Sequence, residues 1–344
     1  MLKCMQIEII GRVNYIRTKE IESIYFGGGT PSILSITEIQ GLLNAVNKHY
    51  SVNKDVEITL ECNPDDLNKE KLILLKKIGI NRLSIGVQSF NNKDLKFMRR
   101  SHNSQEAINC VRLAKKVGFK NITIDLIYGL PNQTLKAWDK NIDLMLSLNI
   151  PHFSAYALTI ETKTELNHLV RNKKVQVLSD ERIIEQFKLL QEKALKIGFV
   201  HYEISNFGKK SFFPIHNTAY WKNKHYLGIG PSSHSYNGYS RRWNVSSHKK
   251  YIGGLTNNSE YFETEVLNQE QQYNEYIFTT LRTIWGINLN LVKERFGKEI
   301  CKKLQKRAEK WGKTEDLEKK QNFLKLTNKG KLLADTIASD LFIV

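Results

Sequence analysis

Three consecutive glycines and a hydroxyl residue follow an apolar segment near the start of the chain, in residues 23–31 (SIYFGGGTP). Glycine permits positive φ and lets a ligand approach the main chain without interference from a Cβ atom. The N–H groups of such a turn can bind a carboxylate or another anion. A plain turn between a strand and a helix has the same composition, so both interpretations stay open here. A P-loop and a dinucleotide fingerprint are excluded, because no Gly-Lys-Ser/Thr follows and Ser32 replaces the third glycine.

Further polar residues lie at or just past the ends of the predicted strands. A single polar residue there is usually a local cap or turn former, but ligand sites of parallel sheets and barrels lie at the carboxyl edge of the strands. The sequence therefore predicts one shared ligand-binding mouth. Its members, each at or just past the end of a predicted strand, are Gly27–Thr30, Glu61, Gln88, Asp125 and Glu203.

Residues 205–250 are rich in aromatic residues and histidine, with the runs 216–221 (HNTAYW) and 228–235 (GIGPSSHS). A histidine beside tyrosine and tryptophan could bind haem iron or stack on a porphyrin. A packed aromatic cluster with a hydrogen-bonded histidine would show the same spacing. Spacing alone leaves both interpretations open.

The elements that must position these residues alternate between strands and helices. An apolar stripe predicts a first helix from residue 2 to about 17. The predicted strands are 56–61, 82–87, 122–127, 153–158 and 199–204, and Ser104 is the predicted N-cap of a helix that ends at Val117. Three predicted helices end in glycine, at Gly79, Gly118 and Gly198. Repeated strand–helix units predict a parallel sheet, either open or rolled into a partial barrel.

Composition sets broad limits on the kind of protein. The chain has 344 residues, 41% of them hydrophobic, and a net charge of +17. Its lysines are spread along the whole chain, which favours a solvated surface over a dedicated polyanion site. Lys3, Gln6 and Glu8 interrupt any apolar leader, and no run approaches the roughly 20 residues of a membrane helix. A cytoplasmic location is therefore expected.

The four cysteines, Cys4, Cys62, Cys110 and Cys301, are 58, 48 and 191 positions apart. No pair has the close spacing of a zinc or iron–sulfur site. Each is predicted to be a small buried apolar residue.

A change of composition near Asn268 predicts a small helical, winged-helix-like module. Between Lys293 and Lys331 there are 14 Lys and Arg against 6 Asp and Glu, a net charge of +8. Acidic residues are interleaved with the basic ones and no arginine-led stripe is present, so no nucleic-acid partner is expected. The predicted domains are a barrel at 1–205, a connecting and ligand-binding region at 206–267, and the helical module at 268–344.

Eight runs together resemble the radical S-adenosylmethionine (SAM) proteins related to oxygen-independent coproporphyrinogen III oxidase. Within that group they most resemble the HemW-type haem chaperones, over nearly the whole chain. The runs are 25–32 (YFGGGTPS), 61–64 (ECNP), 82–90 (RLSIGVQSF), 99–102 (RRSH), 124–131 (IDLIYGLP), 202–207 (YEISNF), 216–221 and 228–235.

The resemblance implies an α/β fold, a partial (β/α) barrel of the radical SAM type with a small, mainly helical C-terminal domain. SAM would lie across the strand ends, with its methionine part on the backbone N–H groups of the glycine turn. The residues implied for SAM are Gly28, Gly29, Thr30, Glu61, Gln88, Arg100 and Asp125, with Ala157 and His234 at the adenine end.

The run 216–221 matches the haem-binding motif proposed for the family. His216 would bind the haem iron, and Asn217, Tyr220 and Trp221 would complete the haem site. The implied function is to bind haem and pass it to an acceptor protein, for which a membrane protein that binds transiently is also allowed. The alternative is a radical SAM enzyme of porphyrin biosynthesis resembling coproporphyrinogen III oxidase.

One family feature is missing from the printed sequence. The family begins on a strand carrying Cys-x3-Cys-x2-Cys, whose thiolates hold a [4Fe-4S] cluster, and neither that strand nor that motif is present. Because cleavage of SAM needs an electron from the cluster, radical catalysis is not expected of this chain alone. An internal start, a truncated gene or a mis-called reading frame is the expected origin of the difference.

Overall fold

A computed structural model describes residues 1–16 and 20–343. Its helices are α1 (Leu2–Gly11), α2 (Ile36–His49), α3 (Lys69–Lys77), α4 (Asn92–Phe97), α5 (Ser104–Val117), α6 (Leu135–Ser147), α7 (Glu165–Arg171), α8 (Asp180–Lys196), α9 (Ile215–Trp221), α10 (His248–Asn257), α11 (Gln269–Leu281), α12 (Leu289–Phe296), α13 (Lys298–Lys313) and α14 (Ala334–Leu341). Its strands are β1 (Glu20–Phe26), β2 (Ser51–Cys62), β3 (Arg82–Gln88), β4 (Asn121–Tyr128), β5 (His152–Ala157), β6 (Val200–Glu203), β7 (Asn206–Gly208), β8 (His234–Tyr236), β9 (Ser240–Asn244), β10 (Phe262–Val266), β11 (Ile287–Asn288), β12 (Leu317–Lys320) and β13 (Phe323–Leu326).

The chain forms two compact units, which we describe separately. The first comprises residues 1–23, 37–56 and 214–344, and the second comprises residues 24–36 and 57–213. We call them unit 1 and unit 2. The division into domains at 205 and 267 stays a prediction.

The principal sheet is a curled half-barrel, as predicted. Within the described residues it has seven strands in the order β1-β2-β3-β4-β5-β7-β6. Strands β2 to β5 pair in parallel. Helix α3 joins β2 to β3, helices α4 and α5 join β3 to β4, and helix α6 joins β4 to β5. Apolar side chains on the outer face of β3, namely Leu83, Ile85 and Val87, are fully buried. Their burial beneath the helices stabilises the sheet.

The far edge of this sheet differs from the prediction. A parallel series closing at residues 199–204 was expected, but β7 lies between β5 and β6 and is antiparallel to both. Only Ile204 and Ser205 separate β6 from β7, and so short a link can form only a hairpin. Phe207 fixes the insertion, because its ring stacks on Phe153 at 4.7 Å and on His201 at 4.0 Å.

Two predicted helix ends are wrong. Helix α1 ends at Gly11 rather than near residue 17, which itself lies outside the described residues, because Arg12 leaves helical geometry at φ −110° and ψ 15°. The N-cap of α5 is Asn103 rather than Ser104. Its side chain accepts a hydrogen bond from the Glu106 N–H at 3.0 Å, and the Glu106 carboxylate accepts one from the Asn103 N–H at 2.8 Å. This reciprocal pair is a capping box.

The three glycines predicted to end helices are confirmed. Gly79, Gly118 and Gly198 have φ values of +102°, +97° and +85°. Glycine reaches this left-handed region without a Cβ clash, so the chain can turn sharply from each helix into the next strand.

Unit 1 contains two small antiparallel sheets, ordered β10-β9-β8 and β11-β13-β12. Helices α11 to α14 surround the second sheet, which confirms the mainly helical character of the C-terminal region. Tyr251, Tyr273 and Ile277 are fully buried in this unit. Across the described ranges, no helix is both long and apolar enough to cross a membrane.

Candidate functional site

The glycine turn of unit 2 requires glycine for a steric reason. A Cβ added to Gly27 would lie 2.5 Å from the Tyr25 ring and 2.9 Å from the Glu61 carboxyl carbon. Gly28 has a φ of +78°, and no described atom lies within 4 Å of a Cβ added to Gly28 or Gly29. The turn is therefore closed on the side of Gly27 and open over the next two residues.

Glu61 organises this turn. Its carboxylate accepts hydrogen bonds from the Tyr25 hydroxyl at 2.6 Å and from the Gly28 N–H at 3.1 Å. Burial and the neighbouring Glu61 charge raise the pKa of Tyr25, so its hydroxyl stays a donor at neutral pH. The Gly28 N–H, predicted to face an anionic ligand, is directed at Glu61 instead. This end of the mouth therefore presents a negative charge.

A cationic group lies at the ends of β2 and β3. Arg100 donates through Nη2 to Asn63 Oδ1 at 2.7 Å and to the Gly86 carbonyl at 3.1 Å. Its Nε is buried without a hydrogen-bond partner among the described residues. A Cβ added to Gly86 would lie 2.9 Å from Gln88 Nε2 and 3.4 Å from Arg100 Nη2, so both side chains converge over Gly86. This arrangement suits a ligand carboxylate or carbonyl, which guanidinium and amide groups bind.

Asp125 lies deeper than predicted, three residues before the end of β4 rather than at its tip. The Ser84 hydroxyl donates to its Oδ2 at 3.4 Å. Ser84 pairs with Thr123, two residues before Asp125, so Ser84 and Asp125 lie on the same face of the sheet. Burial raises the pKa of Asp125 to about 6, and the Glu61 charge contributes to the rise while hydrogen bonds from Ser154 and Ser84 oppose it.

Replacing Asp125 with asparagine is expected to stabilise the protein at neutral pH. A carboxyl group whose pKa rises from 3.8 to about 6 on folding binds its proton more tightly in the folded state. Its contribution to stability therefore falls as the pH rises from about 4 to 6 and stays low above that range. We expect the free energy of unfolding of the variant to exceed that of the wild type by about 1 to 2 kcal/mol at pH 7.5. At pH 4.5 the two free energies should differ little. Urea denaturation at both pH values measures this.

The exposed Asp55 provides the control. The Asp55→Asn variant should match the wild type at both pH values. An Asp125→Asn variant that is less stable than the wild type at pH 7.5 would contradict the assigned cost of burying this carboxylate.

Of the remaining predicted positions of unit 2, one is exposed and the others already form hydrogen bonds within the protein. Ala157 ends β5 and is exposed, and Thr30 leads into a short 3-10 turn, where its carbonyl accepts from Ile33 N–H at 3.1 Å. Glu203 is 2% exposed and accepts from Asn206 Nδ2 at 2.5 Å and from Ser205 N–H at 3.3 Å. The Glu203 carboxylate therefore holds the β6–β7 hairpin together, which the sequence could not show.

Sequence reasoning missed the polar lining of the half-barrel. Strand β3 alternates strictly, with apolar residues at 83, 85 and 87 and with Arg82, Ser84, Gly86 and Gln88 on the other face. This period of two is a signal the sequence does carry. It places Ser84 beside Asp125 and shows that the inner face is polar.

The histidine of the aromatic run lies in unit 1, on α9. His216 Nδ1 is 3.2 Å from the Ser23 hydroxyl, and its Nε2 is 3.1 Å from the Tyr220 hydroxyl. Burial lowers the pKa of His216 to about 4, so the ring is neutral at neutral pH. Neutral imidazole is the form that binds metals.

The neighbours of His216 on α9 leave polar atoms unsatisfied. Trp221 Nε1 and Thr218 Oγ1 are buried without a hydrogen-bond partner within the described part of the chain. Asn217 is half-buried, whereas Tyr220 is 38% exposed and packs edge-on against Tyr226 at 4.6 Å between ring centres. A buried donor without a partner is costly, which fits a ligand that supplies an acceptor.

The second run, residues 228–235, is also in unit 1 and is anchored to α1. His234 is exposed on β8 and stacks on Trp243 at 6.1 Å. Arg12 donates through Nη1 to the Gly228 carbonyl at 2.9 Å and through Nη2 to the Ser235 hydroxyl at 2.9 Å. The conformation of the run is thus fixed from within unit 1. His234 belongs to unit 1, and the other residues predicted to bind SAM belong to unit 2.

Comparison with known proteins agrees with this geometry. Residues 6–145 match the family model of the radical SAM superfamily. The structure is similar to that of coproporphyrinogen III oxidase (HemN) from Escherichia coli, with a TM-score of 0.82 and 20% identity, covering 99% of this chain and 82% of that chain. The match of residues 6–145, together with the similar fold, places the chain with proteins of the radical SAM class.

Curated relatives define the family more closely. The chain is 32% identical to the haem chaperone HemW of Bacillus subtilis (strain 168) over 338 residues, which cover 98% of this chain and 89% of the relative. It is 34% identical to HemW of Lactococcus lactis subsp. lactis (strain IL1403) over 278 residues, covering 81% and 73%. The chain belongs to the HemW family.

Membership of the radical SAM class implies SAM and a [4Fe-4S] cluster. The four cysteines do not fit a cluster. All are buried, Cys62 donates its thiol to the Leu60 carbonyl at 3.4 Å, and burial raises the pKa of Cys110 to about 12. Among the residues that the structure describes, no group of three or more His, Cys, Asp and Glu side chains could hold a metal ion. These four thiols supply no cluster ligands, and no step through a cluster follows from them.

Proposed function

We propose that this protein binds haem through His216 and passes it to an acceptor protein. The observation that carries the proposal is an imidazole ring with hydroxyl groups at both ring nitrogens, on a helix that also bears an exposed tyrosine. The names of the curated relatives, haem chaperone HemW, support the same function.

The residues around His216 suit a porphyrin. The face of an aromatic side chain such as Tyr220 stacks favourably on a flat conjugated ring. The unsatisfied Nε1 of Trp221 could donate to a carboxylate, and haem carries two of these as propionates. Asn217 would complete the site from the same helix. Haem would supply the iron, and His216 would supply an imidazole nitrogen to bind it.

For the strand edge of unit 2 we propose SAM as the ligand. SAM carries an ammonium, a sulfonium and a carboxylate. Glu61 and Asp125 match the two positive groups, and Arg100 with its unused Nε matches the carboxylate. Gly28, Gly29 and Thr30 would carry the methionine part, and Gln88 and Ala157 would contact the remainder. The open space over Gly28 and Gly29 fits this assignment.

Titration of the purified protein with haemin tests the haem proposal. We expect His216→Ala to weaken binding about tenfold or more, since the imidazole that would bind the iron is lost. His248→Ala is the matched control, because removing this exposed histidine of unit 1 tests for non-specific coordination. The His248→Ala variant should bind haemin as tightly as the wild type does. Equal affinity of the wild type and His216→Ala would remove His216 as the ligand.

The alternative is a radical SAM enzyme that resembles coproporphyrinogen III oxidase. Its chemistry requires a cluster, whereas the names of the curated relatives, haem chaperone HemW, favour the chaperone. Formation of 5′-deoxyadenosine from SAM by the purified chain would instead favour the enzyme. A cytoplasmic location and the lack of a nucleic-acid partner remain part of our proposal.

A further inference from the structure

We propose that Ser23 and Tyr220 are positioning residues for His216. Ser23 sets the tautomer that directs a lone pair at the iron, and the Tyr220 hydroxyl covers that lone pair until haem displaces it. The inference rests on the proposed haem function. It adds Ser23, which lies outside the HNTAYW run, and gives Tyr220 a second role.

The contacts come from two separate parts of unit 1. Ser23 lies in β1, 193 residues before His216, and its hydroxyl is 3.2 Å from Nδ1. Tyr220 is one helical turn after His216 on α9, the spacing at which side chains of a helix meet. Its hydroxyl is 3.1 Å from Nε2, and the two rings are 5.0 Å apart at 89°.

These contacts allow two tautomers, because a hydroxyl group can donate or accept. In one, Ser23 donates to Nδ1 and the ring donates from Nε2 to Tyr220. In the other, Nδ1–H donates to Ser23 and Nε2 accepts from Tyr220. Only the second offers an Nε2 lone pair to a metal. Metal-binding histidines usually donate their other N–H to a protein acceptor, and the Ser23 hydroxyl is placed to be that acceptor.

The Tyr220 hydroxyl occupies the position that iron needs. A metal–imidazole bond is about 2 Å long, so an oxygen 3.1 Å from Nε2 must leave before iron can bind. Tyr220 is 38% exposed, which leaves its ring room to turn outward. The hydroxyl thus competes with iron, while the ring itself is available to stack on the porphyrin.

Removing each hydroxyl should therefore have opposite effects. Tyr220→Phe keeps the ring and loses the competitor, so we expect haemin to bind about threefold to tenfold more tightly and to associate faster. Ser23→Ala loses the acceptor for Nδ1–H, so we expect binding about tenfold weaker. A less basic ring stabilises ferric iron less, so the reduction potential of the bound haem should rise in Ser23→Ala.

Haemin titration, stopped-flow association and potentiometry of the full chain test these effects. Ser23→Thr keeps a hydroxyl and should restore affinity and potential, which separates positioning from a general loss of structure. Tyr239 is an exposed tyrosine of unit 1, and the control variant Tyr239→Phe should leave haemin affinity, association rate and potential unchanged.

Each part of the proposal has its own contradicting result. Unchanged or weaker haemin binding by Tyr220→Phe would overturn the competition by Tyr220. Wild-type potential and affinity in Ser23→Ala would overturn the role of Ser23. If His216→Ala bound haemin as well as the wild type, the proposed haem function itself would fail.

Discussion

Replacing Arg12 with methionine is expected to lower the free energy of unfolding of unit 1 by about 3 to 5 kcal/mol. Arg12 is 4% exposed and Glu8 is fully buried, and their side chains form an ion pair at 3.1 Å. Methionine matches the arginine side chain as far as Nε and lacks the charged end of the guanidinium group. Glu8 would then be a buried carboxylate without a counter-charge, which is far more costly than losing an exposed pair.

The effect is large because Glu8 cannot turn outward to water. Its Oε2 accepts from the Tyr251 hydroxyl at 2.6 Å and from the Gly230 N–H at 2.9 Å, and its Oε1 accepts from Asn244 Nδ2 at 2.7 Å. Arg12 in turn holds Gly228, so the substitution also loosens the run that carries His234.

Urea denaturation followed by tryptophan fluorescence measures this effect. Four of the five tryptophans, Trp221, Trp243, Trp285 and Trp311, belong to unit 1, so the signal reports mainly on that unit. The control is Lys302→Met, whose pair with Glu299 is exposed (73% and 79%) and should contribute less than about 1 kcal/mol. A Glu8→Gln/Arg12→Met double variant should recover part of the loss. Equal effects of Arg12→Met and Lys302→Met would contradict the assigned role of the buried pair.

Gly228→Ala is expected to destabilise unit 1 by about 3 kcal/mol. A Cβ at this position would lie 2.1 Å from the His234 carbonyl oxygen and 2.9 Å from its carbonyl carbon. Both atoms belong to the main chain, so no side chain can rotate away and the His234 segment must shift. That shift would also strain the hydrogen bond from Gly228 N–H to the Ser235 hydroxyl at 3.0 Å.

Gly253→Ala is the matched control for this steric argument. Gly253 lies inside α10 with no described atom within 4 Å of an added Cβ, and alanine is the better helix former by about 0.5 to 1 kcal/mol. The control variant should be as stable as the wild type or more so, with the same denaturation measurement. If Gly228→Ala proved as stable as Gly253→Ala, the close approach of these two segments would be disproved.

Local pattern let the sequence predict most of the principal sheet. The alternation of apolar runs with glycine-ended helices gave the strands around Leu83 and Ile124 to within a few residues. Periodicity and helix caps depend on residues within a few positions of one another, so the sequence alone can reveal them. The sequence did not predict the β6–β7 hairpin, because β7 has three residues, which are too few to show a period.

The sequence by itself indicated the family, the succession of strands along the chain up to β5, and the placement of Glu61 and Gln88 at the carboxyl edge. Only the tertiary structure decided which polar groups are already engaged. The Glu203 carboxylate accepts a hydrogen bond from Asn206, and the Gly28 N–H donates to Glu61. The Ser23 hydroxyl contacts His216, which lies 193 residues later in the chain. Such pairings depend on how distant segments close on one another, and local periodicity carries no information about them.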